Sequence, residues 1–434
     1  MRRRYWVETL GCPKNQVDSD KLIGTLEADG YVAAAGPEAA DLVVVNTCAF
    51  IDAAREESIA TILTLSGARR PGARLVVTGC MAERYGDELG GELPEVDLVA
   101  GFGVPVTLSP TRSSPVPSFD LLNLPRPPAR APWAYVKVAE GCDRACGFCA
   151  IPSFRGPQRS RSIRDVVAEV EALGAAEIVL VAQDLASYGR DLGRPGEIVA
   201  LVRAVDQVAA RTRLLYLYPS DLTDGLIDVI GATGCHYFDL SLQHVARPHL
   251  RRMRRWGDGA RFAERIRAIR SRYPDAAFRS SFILGYPGET EEDHDELLAF
   301  LEEAELDWAG FFAFSPEEGT YATTLPAPVD PELALERLRE CAAVQDAITS
   351  RRRAALIGTT TTVLVDRAGV GRSHREAPEI DGIIRVTDGA SDAPVGRFVE
   401  VEITGVAGTD LEARVVTDRP GGRRMASVGA GDGH

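Results

Sequence analysis

The segment Glu140-Gly-Cys-Asp-Arg-Ala-Cys-Gly-Phe-Cys-Ala-Ile-Pro152 places Cys142, Cys146 and Cys149 within eight residues, with the spacing C-x3-C-x2-C. Three thiolates can hold three irons of a 4Fe–4S cluster and leave the fourth iron open to a small molecule. A zinc knuckle or scattered core cysteines are the alternatives. Zinc sites usually close with four ligands, and no further cysteine or histidine lies within twenty residues of these three. The spacing therefore favours an iron–sulfur site.

Outward from this segment, residues 133 to about 320 alternate apolar runs with helical stretches. The apolar runs predict six strands, at 135–139, 178–183, 214–218, 237–242, 278–284 and 310–314. Repeated strand–helix units predict a parallel partial barrel, whose site lies at the C-terminal ends of the strands. Because the three-cysteine segment follows the first strand, we expect it at that end of the barrel.

Residues 5–100 show the same alternation and predict a small parallel α/β domain with strands at 5–10, 42–46, 75–78 and 97–100. Cys12, Cys48 and Cys80 follow the first three of these strands. The C-terminal ends of parallel strands meet at one edge of a sheet, where such sheets bind their ligands. We therefore predict that the three thiols converge into a second cluster site. Three buried structural cysteines are the alternative, since free cysteine is often buried.

The predicted fold class is α/β: an N-terminal parallel α/β domain, a central open (β/α)6 partial barrel and a C-terminal small all-β barrel. Proline- and serine-rich stretches at 109–118 and 125–132 predict a linker. After a helix near 331–357, short alternating runs predict the β barrel. The expected domains are 3–105, a linker at 106–131, 132–357 and 360–434.

Composition limits the classes of function. No apolar run reaches the ~18 residues of a membrane helix, and the basic start at Met1 is followed by no apolar signal region. Eight cysteines in such a chain indicate reduced thiols that bind metal, so we expect a cytoplasmic protein without membrane partners. A net charge of −14 argues against a protein that mainly wraps nucleic acid, DNA included. The run 247–256 is locally basic and forms either a nucleic-acid patch or a solvated face.

Further motifs accompany the two cysteine trios. They are Gly11-Cys12-Pro-Lys-Asn15, Asn46-Thr-Cys48, Gly79-Cys80, Glu140-Gly-Cys142, Pro152-Ser-Phe-Arg-Gly156, Ala182-Gln-Asp-Leu-Ala-Ser-Tyr-Gly189, Leu240-Ser-Leu-Gln-His244 and Gly285-Tyr-Pro-Gly-Glu-Thr290. With these motifs and its three-part architecture, the chain resembles the radical S-adenosylmethionine (SAM) methylthiotransferases over essentially its whole length. The resemblance implies that the last module is a TRAM domain. It also implies an enzyme that inserts sulfur into an unactivated C–H bond and methylates it.

The resemblance further implies two 4Fe–4S clusters and SAM as cofactors. One cluster, on Cys142, Cys146 and Cys149, would bind SAM and cleave it with one electron to a 5′-deoxyadenosyl radical. The other, on Cys12, Cys48 and Cys80, would supply or carry the sulfur. The aromatic before Cys149, the strands and their ends, and the Gly285–Glu289 loop suggest the SAM-binding residues Phe148, Gln183, Asp184, Ser241, Gln243, Arg279, Ser281, Gly285, Gly288 and Glu289. Roles in turns or as capping groups are the alternative for the polar residues. His244 is not required as a metal ligand, and Cys235 and Cys341 are expected in the core.

Two branches of this family differ in substrate: one modifies isopentenylated adenosine in tRNA, the other the β-carbon of an aspartate in ribosomal protein S-twelve, giving 3-methylthioaspartate. The stretch Ala377-Pro-Glu-Ile-Asp-Gly382 resembles the ribosomal-protein branch. Residues 361–434 contain nine Arg, no Lys and twelve Asp/Glu, a balance of −3 that suits a basic protein better than tRNA. Surface charge that serves solubility alone is the alternative. The expected substrate-recognition residues are Glu376, Pro378, Glu379, Ile380, Asp381 and Gly382.

The expected partners are ribosomal protein S-twelve, an electron donor of the flavodoxin or ferredoxin type and a sulfur source. Two other functions stay open at this point. The first is the same chemistry on tRNA. The second is an iron–sulfur protein that binds RNA or senses redox state without turnover.

Overall fold

The computed structural model describes residues 2–104, 106, 120–389 and 393–416. Half of the predicted linker, residues 107–119, and the end of the predicted β domain at 417–434 lie outside the described residues. Within the described part, no helix combines the length and apolar character needed to cross a membrane.

The N-terminal part is a parallel five-stranded sheet in the order β2-β1-β3-β4-β5, with helices after three of the strands. Its elements are β1 (Arg4–Thr9), α1 (Pro13–Ala28), β2 (Val32–Ala33), β3 (Leu42–Thr47), α2 (Asp52–Ala68), β4 (Arg74–Gly79), α3 (Cys80–Glu92) and β5 (Leu98–Val99). All six residues of β3 are buried, as expected for a central parallel strand covered on both faces.

The central part is an open six-stranded parallel barrel. Its strands are β6 (Trp133–Lys137), β9 (Glu177–Val181), β10 (Arg211–Leu214), β11 (Tyr237–Gln243), β12 (Ala277–Leu284) and β13 (Trp308–Ala313). They form two three-stranded sheets, joined by a parallel bridge between Leu217 and Leu240. We call the C-terminal ends of these strands the site end and the N-terminal ends the base end.

Helices and a short hairpin connect the barrel strands. The helices are α4 (Ile151–Arg155), α5 (Ile163–Leu173), α6 (Ile198–Asp206), α7 (Asp224–Ala232), α8 (Arg247–Arg252), α9 (Gly259–Arg272), α10 (Glu291–Ala304) and α11 (Pro331–Ala354), and the hairpin pairs β7 (Ala139–Glu140) with β8 (Arg159–Ser160). One large apolar core lies between the sheets and these helices. The predicted core residue Cys341 belongs to it, and Cys235 is buried in an adjoining cluster.

The C-terminal part is a closed five-stranded barrel in the order β14-β15-β16-β18-β17. Its strands are β14 (Thr360–Arg367), β15 (Val370–Arg372), β16 (Ile384–Asp388), β17 (Phe398–Ala407) and β18 (Asp410–Val415). The predicted fold class, a parallel α/β domain, a partial (β/α)6 barrel and a small β barrel, is thereby confirmed. The short strands β2 and β15 were not predicted, because two or three residues are too few to show a period.

Ion pairs hold the N-terminal part against the central barrel. Glu317, which follows β13 and is 2% exposed, accepts hydrogen bonds from Arg55 at 2.6 Å and Arg84 at 2.5 Å. Lys21 of α1 donates to Glu169 of α5 at 2.5 Å, and both side chains are largely buried. The two parts are therefore joined by contacts that exclude water and not by the linker alone.

Candidate active site

The loop with Cys142, Cys146 and Cys149 lies at the site end of the barrel, where backbone hydrogen bonds fix it. Gly147 donates its N–H to the carbonyl of Met253 at 2.8 Å, and its own carbonyl accepts from Ala322. A Cβ on Gly147 would lie 2.6 Å from the Tyr286 hydroxyl, so only glycine fits between the two cysteines. The loop is thus set in place by segments that follow β11, β12 and β13.

Two arginines flank this trio, and both pack on Tyr218. Arg144 and Arg255 lie 3.9 Å and 4.0 Å from the centre of the Tyr218 ring. Arg255 also donates to the Cys146 sulfur at 3.4 Å and to the carbonyl of Ser241. Hydrogen bonds to sulfur are among the means by which proteins adjust an iron–sulfur cluster.

Asp184 and Gln183, which follow β9, present polar atoms without partners beside the trio. One oxygen of Asp184 accepts from Arg144 at 2.6 Å and from Ser187 at 2.5 Å, while its Oδ1 is buried without a hydrogen-bond partner. Gln183 donates to Glu140 at 2.8 Å, and its Oε1 is likewise buried and unpaired. Because burying an unpaired polar atom is costly, these two acceptors fit a polar ligand such as SAM.

The first trio assembles from three strand ends. Cys12 precedes α1, Cys48 follows β3, and Cys80 begins α3 directly after β4. Each of two glycines permits a close approach: Gly11 has a φ of +90°, and a Cβ there would lie 2.9 Å from the Cys48 sulfur. Gly79 also has a φ of +90°, and its Cβ would lie 2.2 Å from an Asn46 oxygen. The structure places the three cysteines at the C-terminal ends of neighbouring strands of one sheet, where the strand pattern predicts that the thiols converge.

Arg155 connects the two trios. It ends α4, the helix that follows Cys149, and its Nη2 donates to the Cys80 sulfur and to Asn15 Oδ1, both at 3.0 Å. Its Nη1 donates to Asp18 at 3.0 Å and to Glu140 at 3.2 Å. The guanidinium is therefore shared between the N-terminal part and the residue two places before Cys142.

Glu140 stays ionised at the centre of this buried group. Burial opposes its ionisation, but the charges of Arg155 and Lys137 outweigh burial and hold its pKa well below the usual range. Lys137 donates to Glu140 at 2.7 Å and also contacts Asp18. The chain just before the C-x3-C-x2-C loop is thus anchored by charge to α1 of the neighbouring part.

The sulfurs of each trio are spaced more widely than the ligands of a single zinc ion. Tetrahedral zinc with Zn–S bonds of about 2.3 Å would bring its sulfurs to about 3.8 Å from each other. Among the described residues, which include every cysteine, neither trio brings its three sulfurs within 4.8 Å of one another. Burial raises the pKa of Cys48 and of Cys142 to about 11 and that of Cys149 to about 12, so metal binding must displace protons. In the described part of the chain, neither trio is therefore arranged around a single zinc ion.

His244, His249 and Glu289 form a buried group with metal-ligand chemistry, yet the hydrogen bonds exclude that role. Nδ1 of His244 accepts from the Ala246 N–H at 3.2 Å, and Nδ1 of His249 accepts from Arg252 at 3.1 Å. A neutral imidazole whose Nδ1 accepts carries its proton on Nε2. Both Nε2 atoms therefore carry the protons, and both are buried without a hydrogen-bond partner.

The Gly285–Glu289 loop takes its shape from Glu289. The carboxylate accepts from the Gly285 N–H at 2.6 Å and from Arg337 at 3.0 Å, so it is occupied within the chain. Gly285 and Gly288 have φ values of +78° and +79°, a region that favours glycine. Glu289 therefore influences a bound ligand indirectly, because it fixes the conformation of the loop.

The other predicted SAM-binding residues do not all lie at the same end of the barrel. Phe148 packs against the apolar core, Gln243 ends β11 with a φ of +72°, and Ser241 and Ser281 are partly buried in their strands. Arg279 lies near the start of β12 and pairs with Asp239 at 3.1 Å and Asp381 at 3.5 Å. The structure therefore places Arg279 toward the base end and does not bring it to Asp184.

The predicted recognition segment 376–382 lies against the base end. Glu376 is fully buried and bonds to Arg353 and to Ser373, the latter at 2.6 Å. Asp381 accepts from the Tyr237 hydroxyl at 2.6 Å. The carbonyl of Pro378 accepts from Tyr135 at 3.0 Å, and Gly382 is buried. Only Glu379 and Ile380 are exposed in this segment.

Several site residues were missed from sequence. Arg155 lies in a quoted motif without an assigned role, Arg144 lies between Cys142 and Cys146, and Tyr218 ends a predicted strand. Arg255 lies in the run 247–256, which is not a uniform basic patch because Arg252 and Arg255 point inward to backbone carbonyls. Of these residues, only Arg144 had a signal in the sequence, its position between two of the cysteines.

Family models match each of the three parts of the chain in turn. Residues 4–101 match Uncharacterized protein family UPF0004, residues 136–301 the Radical SAM superfamily, and residues 357–416 the TRAM domain. Among solved structures, the radical S-adenosylmethionine methyltransferase TsrM from Kitasatospora setae matches at 16% identity and a TM-score of 0.48, over 73% of this chain and 75% of that one.

Three curated relatives match nearly from end to end, and each is named ribosomal protein uS12 methylthiotransferase RimO. The protein of Moorella thermoacetica is 41% identical, covering 92% of this chain and 96% of its own. That of Desulforudis audaxviator is 43% identical over 96% and 98%, and that of Streptomyces coelicolor 40% over 95% and 96%. The predicted family resemblance is confirmed: the chain belongs to the RimO family of ribosomal protein uS12 methylthiotransferases.

Proposed function

We propose that this enzyme replaces a hydrogen on the β-carbon of an aspartate in ribosomal protein uS12, the S-twelve protein, with a methylthio group, giving 3-methylthioaspartate. The observation that carries the proposal is the 40–43% identity, over more than nine tenths of the chain, to relatives named for this activity. None of these three is named for tRNA, so a tRNA methylthiotransferase is not favoured. The two converging cysteine trios support an enzyme over a passive RNA-binding protein.

The cofactors implied are two 4Fe–4S clusters and SAM. Cys142, Cys146 and Cys149 would hold the cluster that binds SAM, and Cys12, Cys48 and Cys80 would hold the other. When bound, these groups supply radical cleavage of the C–H bond together with the sulfur and the methyl group. We further propose the division into an iron–sulfur domain at 3–105, a linker at 106–131, a radical SAM domain at 132–357 and a TRAM-like domain at 360–434.

The chain's own residues position SAM and exclude water. The unpaired oxygens Asp184 Oδ1 and Gln183 Oε1 are available to the amino or hydroxyl groups of SAM, and Arg144 holds the Asp184 carboxylate in place. The Gly285–Glu289 loop offers its backbone to the adenine, since its two left-handed glycines leave no Cβ in the way. We retain Phe148, Ser241, Gln243 and Ser281 as lining residues, and Arg279 as an indirect contributor.

The substrate protein and the remaining partners follow from charge and from the family. The acidic balance of residues 361–434 suits a basic ribosomal protein. In the segment 376–382, Glu379 and Ile380 are the exposed residues that can meet it, whereas the buried Glu376 and Asp381 act by holding the segment against the barrel. The other partners that we propose are an electron donor of the flavodoxin or ferredoxin type and a sulfur source.

Mass spectrometry of uS12 and of tRNA from cells that lack this gene tests the proposal. We expect the methylthio mass to vanish from the uS12 aspartate and to return with the native gene but not with Cys146→Ala. Loss of the methylthio mass from tRNA alone would overturn the choice of substrate. Reconstituted protein with dithionite and SAM should also yield 5′-deoxyadenosine, and no yield would favour a binding protein.

A further inference from the structure

Arg155 is the one side chain named above that joins the chain beside the second trio to a sulfur of the first, and its contacts go beyond a structural ion pair. We infer that Arg155 is a positioning residue of the first cluster: its hydrogen bond to the Cys80 sulfur sets the reduction potential of that cluster from within the loop of the second. The inference rests on the proposal that Cys12, Cys48 and Cys80 hold an iron–sulfur cluster.

The geometry aims the guanidinium at the sulfur. Nη2 lies 3.0 Å from the Cys80 sulfur and donates in the same direction to Asn15 Oδ1. The Arg155 side chain is 4% exposed, and its guanidinium packs on the Phe102 ring at 4.3 Å. A buried, planar fork of donors that is bonded through both Nη atoms and stacked on a ring has little freedom to turn away. The contact with sulfur is therefore part of the folded arrangement and not a chance meeting of surface groups.

The charges around Arg155 leave its Nη2 side to the sulfur. Asp18 and Glu140 occupy Nη1, and both carboxylates are also bonded by Lys137. Two cations thus face two anions, and the carboxylates do not require all the donors of Arg155. Positive charge and hydrogen bonds at a cluster sulfur favour the reduced, more negative cluster, which makes the reduction potential less negative.

The position of Arg155 in the chain shows that its contact with Cys80 links the two cysteine trios. Arg155 ends a five-residue helix that starts two places after Cys149, and its partner Glu140 stands two places before Cys142. The second trio has a comparable donor in Arg255, which bonds the Cys146 sulfur at 3.4 Å. Arg255, however, comes from the same barrel as its trio. Only Arg155, of these two, carries a hydrogen bond from one cluster loop to a ligand of the other.

The test isolates the first cluster in the full-length chain by replacing Cys142, Cys146 and Cys149 with alanine. In this background the remaining cluster is reconstituted, its iron is counted, and its midpoint potential is measured by a redox titration followed by electron paramagnetic resonance. We expect Arg155→Met to shift the potential to more negative values, and Arg155→Lys, which keeps the charge but not the fork, to shift it less.

Arg55→Met is the matched control, because Arg55 also joins the two parts, through Glu317. It should leave the potential unchanged. An unchanged potential in Arg155→Met, or an equal shift in Arg55→Met, would overturn the inference while leaving the proposed function intact. If the parent without the second trio takes up no iron, both the inference and the proposed first cluster fail.

Loss of iron in Arg155→Met is also informative. The same substitution is then made in a chain whose Cys12, Cys48 and Cys80 are alanine. Iron retained at the second trio but lost at the first would support a role directed at the first cluster. Iron lost from both would show a general structural role and overturn the inference.

Discussion

The two ends of the barrel use arginine in different ways. At the base end, guanidinium groups meet carboxylates: Glu177 accepts from Arg213 at 2.6 Å and from Arg372 at 2.9 Å, and Glu376 pairs with Arg353. At the site end, two arginines donate to thiol sulfurs as well. The base end therefore holds the C-terminal barrel in place, whereas the site end keeps metal ligands in a fixed electrostatic setting.

This contrast predicts that substitutions at the two ends separate in their effects. Changes at the site end should lower iron binding and activity, whether or not they also lower stability. Changes at the base end should lower stability and leave the iron content of the folded protein unchanged.

The largest expected effect is that of removing a single thiol at the site end. Cys146→Ala and Cys48→Ala should each abolish methylthiolation of uS12 and lower the bound iron to about half, because each removes a ligand of one of two clusters. Cys146→Ala should also abolish 5′-deoxyadenosine formation, which Cys48→Ala should retain. Iron analysis and chromatography of the nucleoside check this. Full methylthiolation by either variant would contradict the two-cluster arrangement.

The second-largest effect is expected for the substitution Gly79→Ala. A Cβ at Gly79 would lie 2.2 Å from Asn46 Oδ1 at a φ of +90°, so left-handed strain and overpacking together should cost about 4 kcal/mol and displace Cys80. Iron at the first trio should fall while iron at the second is kept.

The control is Gly72→Ala, whose φ is +81° but whose Cβ would meet no atom within 4 Å. It should cost only about 1 kcal/mol and no iron. Urea unfolding and iron analysis separate the two variants, and equal iron loss in both would refute the role of close packing at Cys80.

At the base end, Glu376→Gln should lower the free energy of unfolding by about 3 kcal/mol, because it leaves the buried Arg353 without its counter-charge. Burial opposes ionisation of Glu376, but Arg353 and Ser373 lower its pKa to about 2, so the carboxylate is charged in the folded protein. Iron content should stay at the native level. A fall in iron without a fall in the urea midpoint would show that Glu376 supports iron binding and not stability, which would contradict the comparison.

The smallest expected effect concerns pH and Glu177. Burial opposes its ionisation, yet Arg213, Arg372 and Arg211 lower its pKa from 4.5 to about 2. A depressed carboxyl pKa contributes stability that is present above pH 4.5 and is lost as the pH falls toward 2. By pH 3.5 the loss from this group should be about 1.4 kcal/mol.

Urea unfolding of the metal-free protein at pH 6.5 and 3.5 measures this effect. Glu177→Gln should lose less stability over the interval than the native protein, and Glu92→Gln, at an exposed carboxylate, should lose as much. A native-like pH dependence in Glu177→Gln would contradict the calculation.

Sequence patterns predicted the elements that form by local periodicity. The buried strand Leu42–Thr47 was expected at 42–46, and the rule that parallel strands end at one edge brought Cys12, Cys48 and Cys80 together before any coordinates. Arg279 shows that the rule must also take into account how far a residue lies from the C-terminal end of its strand. It lies five residues before the end of β12, about 17 Å along the strand from the site end.

The arginines of the site could not be predicted in this way. Arg155 meets Cys80 across 75 residues, and Arg255 meets Cys146 across 109. Such contacts depend on how separate elements pack, and nothing in the local sequence marks them. The same holds for Glu317, whose two partners lie more than 230 residues away.

The contact between Arg155 and Cys80 also has a consequence for the order of events during synthesis. The N-terminus of a chain leaves the ribosome first, and domains generally fold as they emerge. All three cysteines of the first trio emerge by residue 80, but the donor to Cys80 is made 75 residues later. The nascent N-terminal domain therefore exposes an incomplete site until the first strand and loop of the barrel have been translated. The first trio thus gains its complete hydrogen-bonding environment only after that stage, when the loop of the second is already present.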